Sequence, residues 1–438
     1  MNLFNKIIGL KKKKFVRDSA VLQIGTFFST ALAFFASIIY ARVLGLNGYA
    51  SYGLIFAFVS LSSIFMNVGT NQSALTLLSQ AYASGDKDKI RDICSYYLKV
   101  TFLVSLVAGF VIIILAPFLT ERLYNMSGIG QFVRVIIFSY IIRVLMGFYV
   151  IILQVLRKIK RLAVVENASK LFYVIVPVVL VLFGYGLFGL VYGYLLVAFA
   201  FGVYAFFAYR RLSKNDDLLP SWRSMIFSFN RSRTNYYFKF GFLIAVDKSL
   251  GSLFGSLPIL ILGMFNIEYV AYLKIAIAYA ALPLMLIGPI GRLLAVHLPR
   301  SITYGVNVFK KSFIRSTIGS FLITLVVAAV LAALGWLLIP FVYGSEYVPV
   351  IVLAYPLLAA TVINSLGIGV SPAFRAFNWV KQSIIINTVW VLLSLPMLYL
   401  GIKYLPISLS IYIIALLMPI ATIIPLVYLL KKINKIKA

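Results

Sequence analysis

Along this chain apolar residues run in unbroken stretches, and short polar intervals separate one stretch from the next. Twelve runs are long enough to cross a bilayer: about 19–41, 50–70, 98–119, 131–156, 164–184, 187–209, 239–263, 268–291, 317–340, 350–373, 381–400 and 405–430. A hydrocarbon core about 30 Å thick needs roughly 20 apolar residues of helix, and backbone in lipid must satisfy its own hydrogen bonds. Stretches such as Val100–Pro117 do not alternate, which excludes the in–out strands of a membrane barrel. The pattern predicts an all-α polytopic membrane protein of about 12 transmembrane helices, and a hydrophobic content of 62% agrees with it.

The polar marks between runs repeat. Leu46–Tyr52 resembles Asn266–Tyr272, Pro117-Phe118 and Tyr124 parallel Pro340-Phe341 and Tyr343, and Arg157 parallels Arg375. Six runs per half is an even number, so both halves enter the membrane with the same orientation. The expected organisation is an N-terminal six-helix lobe over 1–212, a cytoplasmic linker over 213–238 and a C-terminal six-helix lobe over 239–438. In parallel repeats of this kind a substrate site belongs between the halves. The second and eighth runs are irregular at matching positions, with Gly69 in one and Pro283 and Pro289 in the other. These are candidate hinges on a transport pathway; close packing of small residues is the alternative. The stretch Ser79–Tyr97 reads either as a helix lying along the inner interface, with Ile90, Ile93 and Tyr97 on one face, or as a solvated connector.

Charge sharpens the picture. With 40 Lys and Arg against 11 Asp and Glu, the net charge is +29, but most cations cluster at the two termini and in the even-to-odd connections. Only Arg42, Arg122 and Lys403 fall on the opposite side. That bias puts both termini in the cytoplasm, and the plasma membrane is the expected location. Anionic head groups are sufficient partners for such a surface, and no folded basic domain exists for nucleic acid. Cys94 is the sole cysteine and His297 the sole histidine, so neither a disulfide nor a histidine-rich metal site is expected. There is no GxxxxGK[ST] sequence, and no cofactor is expected. A membrane glycosyltransferase would need carboxylates on an exposed loop, whereas Glu121, Glu268 and Glu346 sit in short, separate ones.

Charges inside the runs are costly, about 2.5–3.5 kcal/mol each at a helix centre. Arg143 lies near the middle of its run, and its stripe continues through Gly147 and Ile151 toward a bundle interior. Arg134 falls on the opposite face of the same helix, close to the outer interface, where it is expected to snorkel. Asp247 and Lys248 begin the seventh run. Asp247 suits either ion coupling or a structural ion pair, and Lys274 either lines a cavity or snorkels. Arg143, Lys248 and Lys274 against Asp247 make a cationic inventory suited to an anion, phosphate first.

Several short motifs resemble a known family. Ala41-Arg42-Val43-Leu44-Gly45 with Tyr49 and Tyr52, Tyr82-Ala83-Ser84-Gly85-Asp86-Lys87, and Gly344-Ser345-Glu346-Tyr347 are similar to signatures of bacterial polysaccharide-export flippases. Their superfamily also holds multidrug exporters and lipid II flippases. The chain departs from the pattern at Ala50, where the family often has Gly. The resemblance implies a two-lobed, V-shaped bundle working by alternating access. Its substrate would be a polyprenyl-pyrophosphate-linked oligosaccharide moved from inner to outer leaflet, with a glycan polymerase and glycosyltransferases as functional partners. A multidrug/cation antiporter of the same superfamily is the alternative, but should favour acidic cavity residues.

Overall fold

Nearly every residue described in the computed structural model is helical, and no strand occurs among them. The structure describes residues 2–66, 69–126, 128–227, 237, 253, 255–302, 304–377 and 379–435. The helices are α1 (Asn2–Met66), α2 (Thr70–Ser84), α3 (Lys87–Tyr124), α4 (Ile129–Val155), α5 (Ile159–Leu180), α6 (Gly186–Lys214) and α7 (Trp222–Phe227). They continue with α8, described over 255–263, then α9 (Ile267–Ala280), α10 (Leu282–Ile302), α11 (Val306–Tyr343), α12 (Val350–Asn364), α13 (Val370–Ala376), α14 (Val380–Tyr404) and α15 (Ile407–Asn434).

Among the described residues, nine helical segments are long and apolar enough to cross a membrane. Two of them, Phe27–Met66 and Ile159–Lys214, far exceed one crossing. Each holds two of the apolar runs read from the sequence, and each bends at glycine. Gly45 sits at φ 67, ψ −178 within α1, and Gly184 at φ 89 follows α5. At Gly45 the requirement is purely one of backbone: that region of φ/ψ is essentially closed to residues with a Cβ, yet no atom lies within 4 Å of where a Cβ would stand. The run expected over 239–263 lies mostly outside the described residues.

Side-chain placement is the reverse of a soluble helix. On α3 the buried positions include Thr101, Ser105, Gly109 and Thr120, while Phe102, Leu106, Phe110 and Ile114 are exposed. On α11, Thr317, Ser320, Thr324 and Gly335 are buried, with Ile318, Leu322 and Val326 exposed. Lipid solvates large apolar groups, so small and hydroxyl-bearing residues take the helix contacts. Thr101 donates to Thr70 at 2.8 Å, and Ser105 to the Met66 carbonyl at 3.2 Å. Both α3 and α11 are 38 residues long and carry a proline near the end, Pro117 and Pro340, consistent with the sequence repeat.

The chain forms two compact units. The first contains Met1–Val43 and Phe58–Val246; the second contains Leu44–Ala57 and Asp247–Ala438. The division expected from sequence, with a single joint over 213–238, does not include this transfer of Leu44–Ala57. In the first unit, an aromatic core joins Tyr97, Phe148, Tyr209 and Trp222, with ring centroids 4.7–5.7 Å apart. Tyr209 also donates to the Pro220 carbonyl at 2.6 Å. Leu219 and Met225 are buried here, so the first part of the polar joint packs firmly into this unit. In the second unit, Phe309, Phe313, Phe374 and Leu429 lead a separate core.

The stretch Ser79–Tyr97 is neither an interfacial helix nor a loose connector. Gly85, at φ 70, ends α2; Asp86 then caps α3 by accepting from the Lys89 backbone at 2.9 Å. From there α3 runs unbroken to Tyr124. Ile90, Ile93 and Tyr97 are buried in the first unit's core, so the apolar face covers protein rather than head groups.

Candidate functional site

Among the described residues, a cation within an apolar helix of each unit is held by aromatic rings: Arg143 in the first and Lys274 in the second. In the first unit, the Arg143 guanidinium on α4 lies 5.0 Å from the ring centre of Tyr140 and 4.7 Å from that of Tyr173 on α5. Tyr140 stands one turn before Arg143, where helix geometry brings it to the same face. Tyr173 in turn packs on Tyr194 of α6 at 5.6 Å. Its hydroxyl is buried without a hydrogen-bond partner among the described residues. Arg143 itself is exposed, so the rings hold the face of the guanidinium while its N–H edge stays open.

In the second unit, the Lys274 ammonium on α9 lies 3.2 Å from the ring centre of Tyr52, 5.6 Å from Tyr49 and 5.8 Å from Phe56. All three rings come from the segment of α1 that belongs to this unit. Gly53 permits the approach: a Cβ there would stand 3.0 Å from Val270 and 3.3 Å from the Lys274 stem. Lys274 is partly buried and makes no ion pair among the described residues. A desolvated cation–ring contact is worth about 2 kcal/mol, against an insertion cost of about 2.5–3.5 kcal/mol for a membrane cation. The rings therefore offset most of that cost.

Beside this centre the repeated motif closes on itself. Tyr49 and Tyr52 lie 5.6 Å apart, and Tyr269 and Tyr272 5.5 Å. Tyr49 and Tyr272 both meet Tyr347 edge-on, at 6.5 and 6.3 Å. The phenol of Tyr347, which lies between two spans, is shifted upward by burial first and by the neighbouring Glu346 next. Asn266 anchors α9 by accepting from the Tyr269 backbone at 3.1 Å.

The other sequence candidates are placed as follows. Asp247 and Lys248 lie outside the described residues. Gly69, at φ 75, stands immediately before α2. Next to it, Asn71 accepts from Tyr97 at 2.6 Å, and Thr70 is buried. Pro283 is buried in the first turn of α10, two residues after the break at Ala281, and Pro289 lies within α10. Arg134 turns one edge of its guanidinium inward. Its Nε donates to the Ile113 carbonyl at 2.7 Å, the oxygen that Pro117, four residues on and lacking an N–H, leaves without its helical partner. Among the described residues no three His, Cys, Asp or Glu side chains cluster as metal ligands do.

Comparison with solved structures identifies the fold. An inward-facing multidrug resistance MATE family transporter of the MOP superfamily matches with a TM-score of 0.73 at 18% identity, over 93% of this chain and 96% of that one. The lipid II flippase MurJ, in an inward closed conformation, matches with a TM-score of 0.74 at 16% identity, over 95% and 88%. The all-α membrane fold is thus the one those proteins share. No curated protein matches at the level of sequence. Residues 39–352 match the family described as "Polysaccharide biosynthesis protein", and the chain is a member of that family.

Proposed function

We propose that this protein is a flippase that translocates a polyprenyl-pyrophosphate-linked oligosaccharide from the inner to the outer leaflet by alternating access. The observation that carries the reading is the pair of aromatic-held cations, Arg143 and Lys274, one in each compact unit. Neither forms an ion pair among the described residues, and each is suited to phosphate oxygens. Membership of a polysaccharide biosynthesis family supports a glycan-linked substrate. Lys248 would add to the cationic set, and Asp247 would serve ion coupling. The two bent segments would each contribute two crossings, giving twelve with the run at 239–263. The lobes would then be 1–212 and 239–438, joined through 213–238, with Leu44–Ala57 contributed to the second. Both termini would be cytoplasmic, and Gly69, Pro283 and Pro289 would serve as the bending points. Glycosyltransferases supplying the lipid-linked glycan and a polymerase consuming it would be the functional partners.

The test is a surface-glycan assay in cells lacking the protein, complemented with Arg143→Ala or Lys274→Ala at matched membrane levels. Loss of export in both variants is the expected result, and normal export from both rejects the assignment. Drug resistance on expression, with no glycan defect on deletion, would favour a multidrug antiporter.

A further inference from the structure

The first unit carries a second feature on the far side of α4 from Arg143. Phe138, Ile141, Ile142 and Leu145 share one side of α4, roughly 150° around the helix from Arg143. With α3 and α6 they line a groove of about 780 Å³. Its walls include Phe102, Phe110, Phe138, Phe199, Phe206 and Phe207, all exposed. The groove runs along α3 from Phe102 to Ile113, a rise of roughly 16 Å. That is about half of a 30 Å hydrocarbon core, comparable in length to an extended acyl chain. Spread over this length, the volume is too wide for one extended hydrocarbon chain and accommodates two side by side.

One end is cationic. Arg134 shares the stripe of Phe138, Ile141 and Leu145 on α4, and it holds the carbonyl of Ile113, a lining residue. A second N–H goes to Gln131 at 3.1 Å. A guanidinium has five N–H donors, so three have no partner among the described residues. Correcting the carbonyl left open by Pro117 accounts for one donor and no more.

We propose that this groove is a binding site for an anionic diacyl phospholipid, its phosphate on Arg134 and its two chains along the phenylalanine walls. The ordinary alternative is a fluid belt of bilayer lipid, which would show no preference for head-group charge and no dependence on one arginine. The inference is independent of what the protein transports.

The experiment titrates the purified full-length protein in mild detergent with phosphatidylglycerol, phosphatidylcholine and undecaprenyl phosphate. Native mass spectrometry reads retained lipid, and thermal unfolding reads stabilisation. Two variants are compared with the parent: Val203→Trp, which fills the groove from an exposed position, and Arg134→Gln. The second is made in a Pro117→Ala background, where a backbone N–H returns to Ile113. Phosphatidylglycerol should bind the parent in preference to phosphatidylcholine, and both variants should weaken that binding about tenfold. Equal retention by parent and variants overturns the proposal, as does a response to undecaprenyl phosphate with none to phosphatidylglycerol. Should the arginine variant fail to fold, Val203→Trp decides alone.

Discussion

The Lys274 ammonium stands 3.2 Å above the Tyr52 ring, a contact between residues from opposite halves of the sequence within a single compact unit. The ring's negative face holds the cation without neutralising it. A carboxylate in the same place would have cancelled it.

Replacing Tyr52 tests that arrangement. Tyr52→Phe keeps the π face and should leave glycan export near normal. Tyr52→Ala removes about 2 kcal/mol of stabilisation of the cation, roughly thirtyfold in an equilibrium, and should depress export accordingly at matched protein level. Equal export from the two variants would show that the ring is only packing.

Arg143 should not tolerate Lys. A planar guanidinium stacks on Tyr140 and Tyr173 and still presents N–H groups at its edge, whereas an ammonium is a point charge on a flexible stem. Arg143→Lys should reduce export about tenfold without altering membrane level. Full activity of the lysine variant would reduce the requirement to charge alone.

The link between Pro117 and Arg134 is open to a double-mutant cycle. Arg134→Gln uncovers the Ile113 carbonyl and should lower stability by about 1–3 kcal/mol. In a Pro117→Ala background, where position 117 regains its donor, most of that loss should vanish. Additive effects on the unfolding midpoint in detergent would separate the two residues.

Gly45→Ala isolates a backbone cost. With no atom within 4 Å of the new methyl, the only penalty is the conformation itself, about 1–3 kcal/mol. The variant should unfold at a lower temperature. An unchanged midpoint would mean that α1 relaxes into a straight helix there.

Tyr82 donates to Asp216 at 2.9 Å, outside the spans. Partial burial first, and the Asp216 carboxylate next, raise its phenol above the ordinary 10.0. The fold therefore favours the protonated ring. Its contribution is present in full below pH 10 and lost as pH climbs through the raised value. Tyr82→Phe should flatten that part of the alkaline decline in stability; superimposable slopes from about pH 9 to 12 would remove Tyr82 from it.

What the sequence discloses follows from the range of each interaction. Arg143 and Lys274 stand out because a lone charge in an apolar run is costly wherever the helix packs. Tyr140 is legible too, three residues before Arg143 on one face. Tyr173 and Tyr52 are not: each reaches its cation from another helix, and the chain has 28 tyrosines to choose among. Arg134 reads only as an interfacial charge; its contact with a carbonyl on α3 is visible only if Pro117 is taken as removing a donor. The motif shared by Tyr49–Tyr52 and Tyr269–Tyr272 is evident as repetition. Their convergence on Tyr347 follows the bend at Gly45; the gap between the runs 19–41 and 50–70 marks a break there, but not its angle.

Membership of Leu44–Ala57 in the second unit sets an order of manufacture. The ribosome releases this piece long before α9, against which it packs, has been made. Until then Tyr49, Tyr52 and Phe56 wait in the bilayer with lipid as their neighbour. A fragment beginning after Ala57, however intact its remaining helices, would be born without the rings that hold its own lysine.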